Sequence, residues 1–147
     1  MPSARIIGTG SYVPPKVLTN ADLEKLVDTS DEWILTRTGI VERRIAPEEE
    51  ATSDLALPAA QAALEAAGLD PADLDMILVA TITPDMPFPS TACVLQDRLG
   101  ARRAGALDIS AACSGFVYGL AVADGLIRTG TARTVLLLGA ETLSRVV

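Results

Sequence analysis

An α/β layered fold with a mostly parallel sheet follows from three features of this sequence. Short apolar stretches without polar alternation recur between alanine-rich helical patterns. Each of the longer helical patterns ends on a glycine, and 49% of the 147 residues are hydrophobic. Unalternating apolar stretches suit strands covered on both faces, and strands that alternate with helices pair in parallel through crossovers. The length suits one compact domain of roughly 150 residues.

Taken in order, Ala4 to Gly8 is a short β-like run. Thr19-Asn20-Ala21-Asp22 and Thr29-Ser30-Asp31-Glu32 each place an acid three residues after a threonine, the capping-box pattern, which predicts short helices from near residues 20 and 30. Thr52 to Ala67 reads as a helix stopped by Gly68, and Asp70 before Pro71 opens a short helix. Met76 to Ile82, MILVATI, is a strand covered on both sides. Ser90 caps a helix that runs to Leu99 and stops at Gly100; Ala104 to Ile109 is a strand; Ser114 to Thr129 is a helix stopped by Gly130; Thr134 to Leu138 is a last strand. The acidic run Glu48-Glu49-Glu50 reads as a solvated loop.

Composition excludes several functions. Twelve Lys and Arg against 19 Asp and Glu give a net charge of −7, which repels nucleic-acid phosphates and anionic membranes, so neither is an expected partner. There is no histidine, the commonest general base and neutral metal ligand. Two cysteines, Cys93 and Cys113, make neither a disulfide scaffold nor a zinc site, and no metal is expected. With no signal-peptide pattern after Met1 and no stretch of 18 apolar residues, the expected location is cytoplasmic. Gly8-Thr9-Gly10 lacks the third glycine and the helix that a dinucleotide fingerprint needs, since Pro14-Pro15 follows.

Ala111-Ala112-Cys113-Ser114-Gly115-Phe116 is the strongest chemical candidate. It lies where a strand turns into a helix, so the unpaired N–H groups of the first helical turn favour negative charge on sulfur, the nucleophilic form. Small neighbours leave room for a substrate carbonyl. The same residues fit a buried small hydrophobe in a tight turn equally well. Cys93 falls among Ala92, Val94 and Leu95 in mid-helix and reads as core. Trp33 and Arg37, four apart, share one helix face, which periodicity alone reads as a surface arginine stacked on a partly buried ring.

Thr19 to Ile40 (TNADLEKLVDTSDEWILTRTGI), Ile7 to Pro14 (IGTGSYVP) and the Ala-Ala-Cys-Ser-Gly-Phe block together resemble β-ketoacyl-acyl-carrier-protein synthase III. The resemblance implies a thiolase-like layered fold (α/β/α), of which residues 1–147 would be the N-terminal half only, with a helical CoA-binding insertion at about 19–50. It implies Cys113 as the nucleophile that takes an acyl group from acyl-CoA, with no cofactor besides that substrate. Trp33 would stack on the CoA adenine, with Arg37 against the same nucleotide end and Thr29 near the adenine. Phe88, in Pro87-Phe88-Pro89, matches the position that bounds the partner's acyl pocket across a homodimer axis. Its residues alone would equally suit a core anchor.

Condensation with malonyl-acyl-carrier protein requires, in that family, a His and an Asn from a C-terminal half that is absent from this chain. The rival expectations are a related acyl-CoA-using synthase of secondary metabolism and a non-catalytic CoA-binding or dimerisation half-domain.

Overall fold

The computed structural model describes residues 3–146, so residues 1, 2 and 147 of the expected 1–147 unit lie outside the described residues. The elements in chain order are β1 (Val17–Thr19), α1 (Asn20–Leu23), α2 (Asp31–Thr38), β2 (Glu42–Arg44), α3 (Thr52–Ala67), β3 (Met76–Ala80), α4 (Thr91–Leu99), β4 (Gly105–Ile109), α5 (Gly115–Arg128) and β5 (Val135–Gly139). Strands β4, β3 and β5 lie side by side in that order and are all parallel, with Leu78 opposite both Leu107 and Leu137.

Strand β3 is central because its sequence has no polar face to offer water. Ile77, Leu78 and Val79 are all 0% exposed. Side chains alternate between the two faces. Ile77 and Val79, with Leu136 and Leu138 of β5, join Ala56, Ala60 and Leu64 of α3 and Ala92 and Leu95 of α4 in one core. On the opposite face α5 packs so closely that a Cβ on Gly119 would collide with Leu137 and one on Gly115 would come within 3.0 Å of the Ala80 methyl. Two helices, the sheet and one helix are the α/β/α layers that the resemblance implies.

The element limits follow local chemistry. Gly68 and Gly100 close α3 and α4 in left-handed backbone, φ 65° and 76°, as their composition predicts. The Ser90 hydroxyl accepts from the Cys93 N–H at the start of α4, and the Asp108 carboxylate accepts from the Thr91 and Ala92 N–H groups, both at 2.8 Å, tying α4 to the neighbouring strand. Cys93, expected in the core, is half-buried, its sulfur 3.2 Å from the Ser90 hydroxyl. Strand β3 ends at Ala80, two residues earlier than expected, and the following Ile82 and Thr83 N–H groups donate to the Glu141 carboxylate and not to a neighbouring strand.

Two local expectations are corrected. Ala4 to Gly8 belongs to no sheet. Its neighbour is α3, where a Cβ on Gly8 would strike the Ala63 carbonyl and one on Gly10 the Ala59 carbonyl. Two residues of chain thus advance by four residues of helix, about 6 Å, so the backbone there is extended even though no strand pairs with it among the described residues. The second helix is capped by Ser30, whose hydroxyl accepts from the Trp33 N–H, and not by Thr29. No hydrogen bond joins Thr29 and Glu32 among the described residues, so the box expected there does not close; the Asp31 N–H donates to the Glu24 carboxylate at 2.7 Å. Residues 19–50 are also not purely helical: β1 and β2 pair antiparallel around α1 and α2, Val17 opposite Arg44.

Among the described residues no helix is long and apolar enough to cross a membrane.

Two predictions follow from these ties. Asp108→Ala leaves two first-turn N–H groups of α4 without their acceptor and should lower stability by about 1–2 kcal/mol in urea denaturation. The Arg133 N–H, then the Thr134 N–H, hold the Asp75 carboxyl below the usual carboxylate range. A depressed folded-state value stabilises above the unfolded carboxylate pKa and is lost as pH falls through the folded one. Asp75→Asn should therefore be less stable than the parent at neutral pH, with the difference shrinking as the pH of the melt is lowered through the carboxylate range.

Candidate active site

The carboxyl ends of the three parallel strands open onto one edge of the sheet, where sites in such sheets generally form. Strand β3 leads into Thr81-Ile82-Thr83, β4 into Ser110 to Ser114, and β5 into Ala140-Glu141-Thr142. The Thr81 N–H donates to the Ile109 carbonyl and the Ala140 N–H to the Ala80 carbonyl, so the three exits are tied together.

Cys113 stands in a single 3-10 turn, Ala112–Ser114, between β4 and α5, and its side chain is exposed. A buried small hydrophobe, the alternative for this residue, is thereby excluded. Ala112 has φ 46°, the left-handed region that costs an L-residue about 1–2 kcal/mol. The turn is sharp because the Ser114 N–H closes on the Ala111 carbonyl at 3.1 Å while Gly115, buried, sits against Ala80. No side chain caps α5, and the Ser114 and Gly115 N–H groups close on the carbonyls of Ala111 and Ala112.

Glu141 organises the facing loop. Its carboxylate accepts from the N–H groups of Ile82 (2.9 Å) and Thr83 (3.1 Å), the Thr81 hydroxyl (3.2 Å) and the Thr83 hydroxyl. The buried Thr52 hydroxyl donates to the Thr83 carbonyl, and the Ser53 N–H donates to Asp85 at 2.8 Å. Beyond this stapled base the loop carries Phe88, which is 88% exposed, so its reading as a core anchor fails. Sequence reading missed Glu141. The available signal was positional, because two strand ends of a parallel sheet carry threonines, and one of them an acid, in an otherwise apolar half of the chain.

The other predicted residues lie on α2, held by a buried amide. Asn20, 2% exposed, donates to Asp31 (2.7 Å) and to the Ile40 carbonyl (2.9 Å) and accepts from Arg43 (2.8 Å). With both ends of α2 fixed, Trp33 presents its ring outward, 54% exposed, with the Arg37 guanidinium 5.1 Å from its centroid. Thr29 is half-buried just before the cap. The structure thus brings Trp33 and Arg37 together, while no hydrogen bond among the described residues joins them to Cys113 or Phe88. Among the described residues no cluster of three His, Cys, Asp or Glu could hold a metal ion.

A protein from Caldanaerobacter subterraneus subsp. tengcongensis, β-ketoacyl-[acyl-carrier-protein] synthase III, is 65% identical over 145 residues, which is 99% of this chain and 44% of that protein. One of the same name from Xanthomonas oryzae is 61% identical over 97% of this chain and 44% of its own length. The chain belongs to the β-ketoacyl-acyl-carrier-protein synthase III family. The family model for 3-oxoacyl-[acyl-carrier-protein] synthase III matches residues 107–147, the span that holds Cys113. The crystal structure of the 3-oxoacyl-[acyl-carrier-protein] synthase III of Aquifex aeolicus superposes with a TM-score of 0.93 at 59% identity, over 96% of this chain and 46% of that one. The priming β-ketosynthase of the R1128 polyketide pathway superposes at 0.92 with 38% identity, over 95% and 42%. The fold is therefore thiolase-like, and the chain spans less than half the length of these family members.

If the positive φ of Ala112 stores strain, Ala112→Gly should raise the unfolding free energy by about 1 kcal/mol, and a β-branched residue there should lower it, both read from thermal melts.

Proposed function

We propose that this chain carries the acyl-loading site of an initiating condensing enzyme of type II fatty-acid synthesis, a cytoplasmic acyltransferase. The observation that carries the reading is an exposed cysteine on a strained turn at the carboxyl edge of a parallel sheet, in a chain of this family. The Cys113 thiolate attacks the thioester carbonyl of acyl-CoA, the bond from that carbon to the CoA sulfur breaks, and CoA leaves as a thiolate that takes up a proton. One thioester replaces another, so the step needs orientation and oxyanion stabilisation more than driving force. The Cys113 N–H makes no hydrogen bond to another backbone group among the described residues and is free to donate to the developing oxyanion.

Trp33 would stack on the adenine of CoA and Arg37 would lie against the same nucleotide end, with Thr29 beside it; this is the role of the insertion at about 19–50. An outward ring with a guanidinium over it suits a planar anionic ligand. Phe88 would bound the acyl pocket of the partner in a homodimer, a role that its exposure on a stapled loop permits. Decarboxylative condensation with malonyl-acyl-carrier protein, giving 3-oxoacyl-acyl-carrier protein and CO2, calls for a His and an Asn. This chain has no histidine, so a C-terminal half would supply that pair. Residues 1–147 then form the N-terminal half-domain.

A synthase of secondary metabolism would have the same fold, and the two TM-scores do not separate them. The higher identity to the Aquifex enzyme, 59% against 38%, favours the fatty-acid role.

Incubation with radiolabelled acetyl-CoA should leave label on Cys113, while Cys113→Ser, nearly isosteric, should retain none although Cys93 remains. Binding without labelling would favour the non-catalytic CoA-binding module. In the complete enzyme, Arg37→Ala should raise KM for acyl-CoA about tenfold, equivalent to about 1.4 kcal/mol, with little change in kcat. A loss confined to kcat would contradict a ground-state nucleotide contact.

A further inference from the structure

Helix α2, which carries Trp33 and Arg37, is held to the molecule by little apolar contact. Of its eight residues only Ile34 is buried, and the others are exposed. A helix this short is marginal by itself, and one buried side chain leaves its tilt and rotation poorly determined. Polar ties supply the rest. Ser30 and Gly39 close its two ends locally. The longer ties are the Glu24 carboxylate on the Asp31 N–H, and the Asn20 amide on the Asp31 carboxylate and on the Ile40 carbonyl just past the helix.

Asn20 is the tie that reaches the body of the fold. Its backbone opens α1, where Thr19 and Asp22 close a reciprocal cap, and Thr19 stands opposite Glu42 in the β1–β2 ribbon. The ribbon is in turn anchored, since the Arg44 guanidinium donates to the Pro14 carbonyl and the Ala46 N–H to the Ser144 hydroxyl beyond β5. From β2 the Arg43 guanidinium donates to Asn20 Oδ1 at 2.8 Å, which turns Nδ2 of the same amide toward the two acceptors at the ends of α2. One acceptor facing a donor, and two donors facing two acceptors, are what an uncharged amide provides. A carboxylate has no proton for Asp31 or Ile40, a hydroxyl has one, and an ammonium cannot accept from Arg43. At 2% exposure the side chain has no surface to offer a ligand, so its influence passes through α2.

We propose that Asn20 is a positioning residue for nucleotide recognition: without touching CoA, its amide sets the angle at which α2 presents the Trp33 ring and the Arg37 guanidinium, and thereby the affinity for CoA. This rests on the reading of Trp33 and Arg37 as the nucleotide end of a CoA site. The two side chains lie on one helix face, with the guanidinium 5.1 Å from the ring centroid, so a helix that rotates carries both away from the ligand together.

Trp33 is the only tryptophan of the chain, so indole emission reports on α2 alone. The full 147-residue chain is titrated with CoA, which should quench the emission of the parent saturably. Asn20→Asp is isosteric but cannot donate to Asp31 or to the Ile40 carbonyl. It should raise the Kd for CoA about tenfold and lower the emission anisotropy of the free chain. Combining it with Asp31→Asn restores one donor–acceptor pair with the roles exchanged, and should bring the Kd back to within about threefold of the parent. Where Asn20→Asp gives no cooperative melt, its exposed partner decides. Asp31→Ala removes the acceptor and should raise the Kd about threefold, whereas Asp31→Asn still offers a carbonyl to Asn20 and should not. Parent-like affinity in Asn20→Asp, or equal affinities in Asp31→Ala and Asp31→Asn, overturns the proposal and leaves the CoA reading intact. Weaker binding that the exchange does not restore assigns Asn20 to folding alone and overturns it as well. No CoA-dependent change in the parent overturns the CoA reading, and the proposal with it.

Discussion

Everything else in this molecule hangs from the burial of β3 on both faces. Three consecutive residues, Ile77, Leu78 and Val79, have no contact with water, which a strand achieves only when helices cover both sides of its sheet. Two of the helices that cover it, α4 and α5, are the crossovers between strands, so the strands run parallel, and parallel neighbours send all their carboxyl ends to one edge. Cys113, the Phe88 loop and Glu141 meet at that edge for this reason, although some 60 residues separate the first exit from the last.

The site is held by polar groups where the core is held by apolar ones. Glu141 spans two strand exits with one carboxylate, and Asn20 spans the entry, the first turn of α2 and the returning strand with one amide. Both are acceptors or donors with almost every lone pair or proton used, an arrangement that fixes geometry more sharply than packing alone. The consequence is a rigid support with mobile-sized, exposed tips: the thiol of Cys113, the ring of Phe88, and the Trp33 and Arg37 pair. The proposed exchange of one thioester for another would depend on orientation, which a stiff frame under small exposed groups would serve.

Much of this was legible residue by residue. The three parallel strands, the helices over 52–67, 91–99 and 115–128, and the glycines that end the first two were read to within a few residues, because each signal is local: a cap, a stop, an unbroken apolar run. Ala4 to Gly8 misled because its pattern is that of a strand while pairing requires a neighbour that no local pattern reveals. Thr29 and Ser30 are adjacent capping residues, and the folded backbone decides between them, Ser30 being extended at φ −140° with its hydroxyl accepting from the Trp33 N–H. Glu141 was overlooked because a lone acid after a strand has no pattern of its own.

The sequence by itself determined the layered α/β class, the place of Cys113 at a strand-to-helix turn, the pairing of Trp33 with Arg37 on one helix face, and the family. These depend on spacing of a few residues, or on identity of motifs. Only the tertiary structure decided that Cys113 and Phe88 are exposed, that Ala112 is strained, that Glu141 binds the loop of a distant strand, and that one buried amide ties both ends of α2. Exposure, strain and buried ties belong to pairs of segments far apart in the chain, and such pairs exist only once the chain has packed.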